Sequence, residues 1–402
     1  MVLVKDEFRK TPREELETRL KLFRQAMDAL HPGWEMFITN YKVTLFYFTG
    51  TIVDGVLIIR PNDAVLWVRK SLDRAVNESY FKDIRPMRSL REAAAFYGKS
   101  PETVYVEKKK ATLDWQDFVH KYFPFERIVG VDAAMEQIRS VKSSFELGKI
   151  RKSGIIHEEV LDKLAKSFIK EGMSETELAV KVYGAMLERG SQGIMRFNHG
   201  LGDETIGICD FGKSGLVAQG FDGPGGCAGT CIAMQNIGNP GRRLRKNQLV
   251  YMDIACGYDG YHTDKTTTYY YGDISADPLG NEILAAHNYC LKVENELLNH
   301  MVIGETLENA YIKTMDAVGK PYGNAFMGGE KFLGHSVGLV IDEAPAIAKG
   351  FKQEFSENMV FALEPKVALK DAGMVGIENT YVITKDGPKS LTGKSNPLII
   401  IR

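Results

Sequence analysis

Two apolar rhythms run along the chain. Behind Thr11-Pro12-Arg13-Glu14, apolar residues recur at steps of four and three (Leu16, Leu20, Phe23, Met27, Leu30), which predicts a helix with one buried face. Thr11 is expected to cap that helix, with Pro12 at its first position and Glu14 closing a capping box. Short runs rich in aliphatic, β-branched and aromatic residues come next: WEMFITN, VTLFYFTG, GVLIIRP and AVLWVRK all read as strands. A helix near SLREAAAFYG, a strand at TVYVEKK and a helix near DWQDFVHKYF follow. Strands interleaved with helices predict an α/β domain over residues 1–140. The character changes near EQIRSVKSSFELGKIRKSG, where Ser143 and Glu146 form a capping-box pattern opening a helix to about Lys170. A second domain is expected over residues 141–402.

Within that second domain, EGMSETELAVKVYGAML and VIGETLENAYIKTMDAV share one design: a glycine, a short polar cap and an amphipathic helix. The repeat suggests two related halves. LVYMDIA and HTDKTTTYYY read as strands around the turn CGYDGY. A turn centred between Tyr258 and Asp259 would set Asp253 directly opposite Asp264 on one face. NMVFALE and GMVGIENTYVIT repeat the pattern around KDAG, and a loop centred on Asp371 sets Glu364 opposite Glu378. Like charges so placed repel, so each pair either shares a cation or holds a proton at a raised pKa. Between the hairpins, LGHSVGLVIDEAP places His335 among close-packing glycines. Four carboxylates and one imidazole can hold two divalent ions of manganese, cobalt, iron or zinc.

Composition narrows the setting. A length of 402 residues has room for two domains. Basic and acidic residues balance at 51 against 52, which leaves no nucleic-acid footprint. The opening MVLVKDEFRKTPREE is too charged for a signal peptide, and no apolar run approaches the roughly 18 residues of a membrane span. Five cysteines, an odd number, suit reduced thiols and a cytoplasmic protein.

Asp253, Asp264, His335, Glu364 and Glu378 follow one another at intervals of 11, 71, 29 and 14 residues. In that order and spacing they resemble the pita-bread metallopeptidases, most closely the prolidase and aminopeptidase P branch. GMSETELA, GYHTDKTTT, GHSVGL, ALEP and GIENTYVIT match landmarks of the same family. The resemblance implies an α/β creatinase-like N-terminal domain and an α+β pita-bread C-terminal domain, duplicated about a pseudo-twofold. It implies two divalent ions on the five residues, with Glu364 as general base and a metal-bound hydroxide attacking the carbonyl of an Xaa-Pro peptide. A homodimer is expected on the same ground.

Three positions depart from the family pattern. One substrate-handling histidine falls seven residues after the metal histidine, where this chain has Asp342. Another falls about 17 residues before the first metal aspartate, where Asn236 stands. Thr267 replaces the arginine of the D.TRT motif. Losing an oxyanion donor typically costs about 10² to 10³ in rate. An ionised Asp342 cannot donate; it can help only if protonated, as a base, or by holding a substrate amine or quaternary ammonium. Asn236, together with Arg196 and His199 of MRFNHGLGD, is expected to contact substrate. These departures keep two other readings open: a small-molecule hydrolase or lyase of the same fold, as in the creatinase, ectoine-hydrolase and dimethylsulfoniopropionate-lyase branches, or a non-catalytic binding module. His262 is a candidate to support Asp264 from the same strand face. GFDGPGGCAGTC lacks a Walker lysine and reads as a pocket-lining loop. Cys227 and Cys231 lack a second ligand pair for zinc, and GRRLRK reads as a solvated loop.

Overall fold

The computed structural model describes residues 10–197, 206–220 and 223–402. It divides into two compact units, at Arg139 and Ser140.

The first unit is built on one sheet of six strands, β1 (Met36–Thr39), β2 (Asp54–Ile59), β3 (Ala64–Lys70), β4 (Ile84–Pro86), β5 (Thr103–Val106) and β6 (Arg127–Gly130). Their order is β4-β3-β2-β1-β5-β6. The first helix, Arg13–Leu30, starts one residue later than its sequence signal: Pro12 takes the N-cap position and no side chain caps it. Its buried face is also rotated. Leu16, Arg19, Phe23, Ala26 and Met27 are buried, whereas Leu30 is exposed. Arg19 belongs inside because its guanidinium bonds Glu15 and the Tyr47 carbonyl, each at 2.8 Å, and lies over the Tyr47 ring. VTLFYFTG is a helix, Lys42–Thr49, and not the expected strand. Almost every residue of that run is buried, so it carries no period to separate helix from strand. Gly50, left-handed at φ 69°, ends it by returning its N–H to Phe46.

The second unit contains two similar halves. In the first, the helices Ser144–His157 and Glu175–Glu188 pack on β7 (Gly207–Phe211), β8 (Gln248–Tyr258) and β9 (Tyr261–Tyr271) around a shared apolar core. The Ser143–Glu146 capping box is formed, and so is a second at Ser174–Glu177. In the other half, the helices Gly280–His300 and Leu307–Val318 share a core with the strands that follow. Those are β10 (Phe332–Ser336), β11 (Glu343–Ala348), β12 (Val360–Leu363), β13 (Lys366–Leu369), β14 (Gly373–Gly376) and β15 (Asn379–Thr384), with β16 (Gly387–Ser390) paired on β15. A last strand, β17 (Ile399–Ile401), returns to pair with β9 in the first half.

Both hairpins form, with one change of register. In β8–β9 the turn is Asp259-Gly260, left-handed at φ 49° and 94°, so Tyr258 pairs with Tyr261. Asp253 then opposes Thr266 and Asp264 opposes Ala255. The aspartates are diagonal neighbours, not a direct pair, and they share a face because the slip is an even number of residues. In the C-terminal hairpin, Leu363 pairs with Asn379 and Lys366 with Gly376. Glu364 and Glu378 lie opposite each other in the gap between these ladder segments, in the expected register.

Two histidines in this unit are buried deeply enough that their pKa values fall. Burial, helped by Lys265, pushes His157 down to about 3. Burial alone pushes His287 down to about 4. Both ordinarily titrate near 6.5. Below that value the unfolded chain takes up protons that the folded chain refuses, so stability is full above it and falls between pH 6.5 and about 4. Each histidine contributes up to about 1.4 kcal/mol per pH unit. The urea midpoint is expected to drop between about pH 7.5 and about pH 5, and His287→Gln should flatten that drop. An unchanged pH profile in the variant would refute the assignment.

Candidate metal centre

The acidic hairpins face each other across the two halves of the second unit. Thr266 and Glu378 exchange both backbone hydrogen bonds at 3.2 Å, joining β9 to the C-terminal hairpin. Thr380 Oγ1 accepts from the Asp264 N–H and donates to the Asp264 carbonyl, each at 2.9 Å. His335, on β10, pairs with Ala362 of β12. The result is a cavity of about 350 Å³ lined by Asp253, Asp264, His335, Asp342, Glu364 and Glu378, with Met195, Phe197, Ile208, Ile341 and Phe351 among its apolar walls.

Inside the cavity the carboxylates divide their oxygens between two positions. On one side, Asp264, His335 and Glu378 each offer a ligand atom within 4.8 Å of the others. His335 Nε2 lies 3.4 Å from Glu364 Oε1 and 3.8 Å from Glu378 Oε1. Glu378 Oε1 is buried with no hydrogen-bond partner. An orphaned buried carboxylate oxygen beside an imidazole and two further carboxylates fits a divalent ion.

The opposite side holds a residue whose role the sequence reasoning missed. Lys366, only 1% exposed, directs Nζ at Asp253 Oδ2 (2.8 Å), Glu364 Oε2 (2.7 Å) and Glu378 Oε2 (3.0 Å). A signal was available: Lys366 stands two residues after Glu364, where strand alternation returns a side chain to the same face. These oxygens do not fit a second divalent ion while the ammonium occupies them.

Electrostatics follow this division. Burial works against charge on Lys366, but Asp253, Glu364 and Glu378 outweigh it and raise its pKa well above the ordinary range. Burial would likewise raise Asp253, yet Lys366 reverses the effect and holds it low. Although its Oε2 meets the ammonium, Glu378 is pushed up to about 8 by burial, with the charges of Glu364 and Asp253, against the pull of Lys366. Asp264 rises well above the carboxylate range through burial and the charges of Glu378 and Asp253. His335 is raised despite its burial because Asp342, Glu364 and Glu378 surround it. A cation on this side would displace protons as it binds.

The remaining candidates sit at different distances from the cavity. Asp342 Oδ1 is 3.7 Å from His335 Nδ1, and Asp342 lines the wall while staying 41% exposed. Asn236 is buried in a tight turn where its carbonyl accepts from Thr230, and it is not among the lining residues. Arg196 is also absent from the lining, although its neighbours Met195 and Phe197 belong to it. The Arg196 backbone instead accepts from the Ile341 N–H at 2.8 Å and donates to His262 Nε2 at 3.3 Å. His262 bonds the Gly338 carbonyl through Nδ1 at 3.0 Å, so it anchors the loop carrying Asp342 and does not reach Asp264. His199 lies outside the described residues. Where Thr267 replaces the expected arginine, Lys265 on the same strand face meets Asp162 at 3.3 Å.

Comparison with known proteins identifies the family. The Creatinase/Prolidase N-terminal domain matches residues 19–141. Metallopeptidase family M24 matches residues 148–385, more than half of the chain. The chain belongs to metallopeptidase family M24. The M24 chain is 24% identical over 359 residues to an uncharacterised peptidase of Staphylococcus epidermidis, covering 87% of this chain and 92% of that one. A prolidase from Pyrococcus horikoshii OT3 superposes with a TM-score of 0.78 at 22% identity, covering 95% of this chain and all 100% of its own. An Xaa-Pro dipeptidase from Bacillus anthracis gives 0.77 at 20% identity, over 96% and 100%. The M24 fold here is thus a creatinase-like N-terminal domain followed by a pita-bread domain.

Thr266 Oγ1 lies 3.0 Å from both Asp253 Oδ1 and Glu378 Oε2, bracing two of the acids. Thr266→Val is expected to weaken Mn²⁺ affinity by about 10- to 100-fold, read by competition with a fluorescent chelator. Unaltered affinity in a folded variant would show that the hydroxyl does not position these ligands.

Proposed function

We propose that this M24 protein is a metal-dependent peptidase that releases the N-terminal residue from short Xaa-Pro peptides. The observation that carries this is the convergence of Asp253, Asp264, His335, Glu364 and Glu378 on one cavity with an apolar wall. Asp264, His335 and Glu378 would hold a divalent ion, with manganese, cobalt, iron and zinc as candidates. Such an ion supplies Lewis acidity, polarising a carbonyl and making water nucleophilic near neutral pH.

The side chains of the protein do the rest. Glu364 is held by Lys366 through Oε2, which leaves Oε1 facing the cavity to take the proton of the attacking water. Met195, Phe197, Ile341 and Phe351 offer an apolar surface to a proline ring and exclude water from the reacting bond. Asp342, at the cavity wall, is placed to hold the ammonium of a peptide N-terminus. Five cysteines, none of them in a disulfide, suit a reducing compartment, in keeping with a cytoplasmic protein. A homodimer enters the proposal on family resemblance alone.

A second reading rests on Asp342. A carboxylate 3.7 Å from the metal-side imidazole can also serve as base or cation anchor for a small molecule in a hydrolase or lyase reaction.

Two experiments separate these readings. Purified protein loaded with Mn²⁺ or Co²⁺ should cleave short Xaa-Pro peptides, lose activity with a chelator, and drop about 10² to 10⁴ in kcat in Glu364→Gln. No turnover over a dipeptide panel with any of the four metals would overturn the peptidase proposal. Asp342→His should lower an existing peptidase activity. A wild type silent on peptides that gains cleavage through Asp342→His would instead establish the small-molecule reading.

A further inference from the structure

We propose that Lys366 is a built-in replacement for one of the two cations of this centre, so that the protein works with a single divalent ion beside a fixed ammonium. The inference rests on the metal-dependent reading above and refines its stoichiometry.

The geometry is that of a completed site. A lysine ammonium has three N–H donors and no acceptor. Here each meets a carboxylate oxygen of a different residue, Asp253, Glu364 and Glu378, between 2.7 and 3.0 Å. No donor is left for water, and the residue is 1% exposed. Removing the partners of a buried charge is strongly unfavourable, so an arriving dication would have to expel an ammonium whose hydrogen bonds are all made.

The surrounding chain accommodates this lysine. Gly376 lies opposite Lys366 in the β13–β14 ladder. A Cβ on Gly376 would stand 2.6 Å from Lys366 Cγ and 3.1 Å from its Cα, so the glycine leaves space that the lysine stem fills. Tyr251 reaches the same Asp253 oxygen at 3.1 Å and closes that side further.

The carboxylates also divide their duties cleanly. Glu364 and Glu378 give Oε2 to the ammonium and turn Oε1 toward His335. Asp253 has its two oxygens engaged by Lys366, Tyr251 and Thr266. Asp264, His335 and Glu378 remain as the set able to close around an ion. One monovalent cation therefore bridges three acids, and one divalent position lies beside it.

The test is metal stoichiometry. The full-length protein is dialysed to equilibrium against excess Mn²⁺, and bound metal is measured by mass spectrometry, with electron paramagnetic resonance on the same samples. Wild type is expected to hold one ion per chain with an isolated six-line spectrum. Lys366→Ala is expected to hold two, with exchange-coupled features. Two ions in the wild type would overturn this inference and leave the metal-dependent peptidase standing. No ion in the wild type would overturn both. A folded Lys366→Ala protein that still takes one ion would remove the lysine from its role. Should that variant fail to fold, the wild-type count and spectrum decide alone.

Discussion

Four carboxylates brought into one cavity repel one another, and the catalytic unit is organised around supplying them with positive charge and hydrogen bonds. Lys366 neutralises the Asp253 side through three short contacts. Asp264 stays raised well above the ordinary carboxylate range, and burial pushes Glu378 up to about 8 although its Oε2 meets the ammonium. This asymmetry divides a single acid cluster into a side already satisfied by the chain and a side suited to an external cation. Thr266, Thr380 and Tyr251 complete the neutral part of the network, each holding an acid or its backbone in place.

The duplicated architecture makes such a cluster possible. Each half of the unit has its own helices and its own apolar core. Neither half carries the whole acid set: Asp253 and Asp264 come from one, while His335, Glu364 and Glu378 come from the other. The reciprocal backbone bonds between Thr266 and Glu378, together with the return of β17 to β9, hold the two hairpins in contact. The destabilising charge is thereby placed where two rigid frameworks meet, and packing on both sides can bear its cost.

Of the departures from the M24 pattern, Asp342 reaches the cavity, whereas Asn236 and Thr267 lie outside its lining. Asp342 puts a carboxylate on the wall beside His335, and Lys366 adds a cation across from it. His262, held by burial at about 4, bonds the loop that leads to Asp342. Arg196, a candidate substrate contact, tethers that loop through its backbone. The framework of the family is thus kept while Asp342 adds a carboxylate to the cavity wall.

The sequence by itself determined which side chains would share a face. Strand alternation has period two, so Asp253 and Asp264 stay together under a slip of two residues, and Glu364 stays opposite Glu378 through a break in its ladder. The capping boxes at Ser143 and Ser174 were legible for the same reason: they are contacts between near neighbours. Only the tertiary structure decided the rest. The buried run Lys42–Thr49 became a helix because a uniformly apolar stretch has no period of its own, and the left-handed conformation at Gly50 ends it. The β8–β9 turn settled on Asp259-Gly260 through backbone conformation and not through symmetry of composition. Lys366 gained its meaning from residues up to 113 positions away, since a buried ammonium is defined by the charges that long-range packing brings within reach of its three hydrogens.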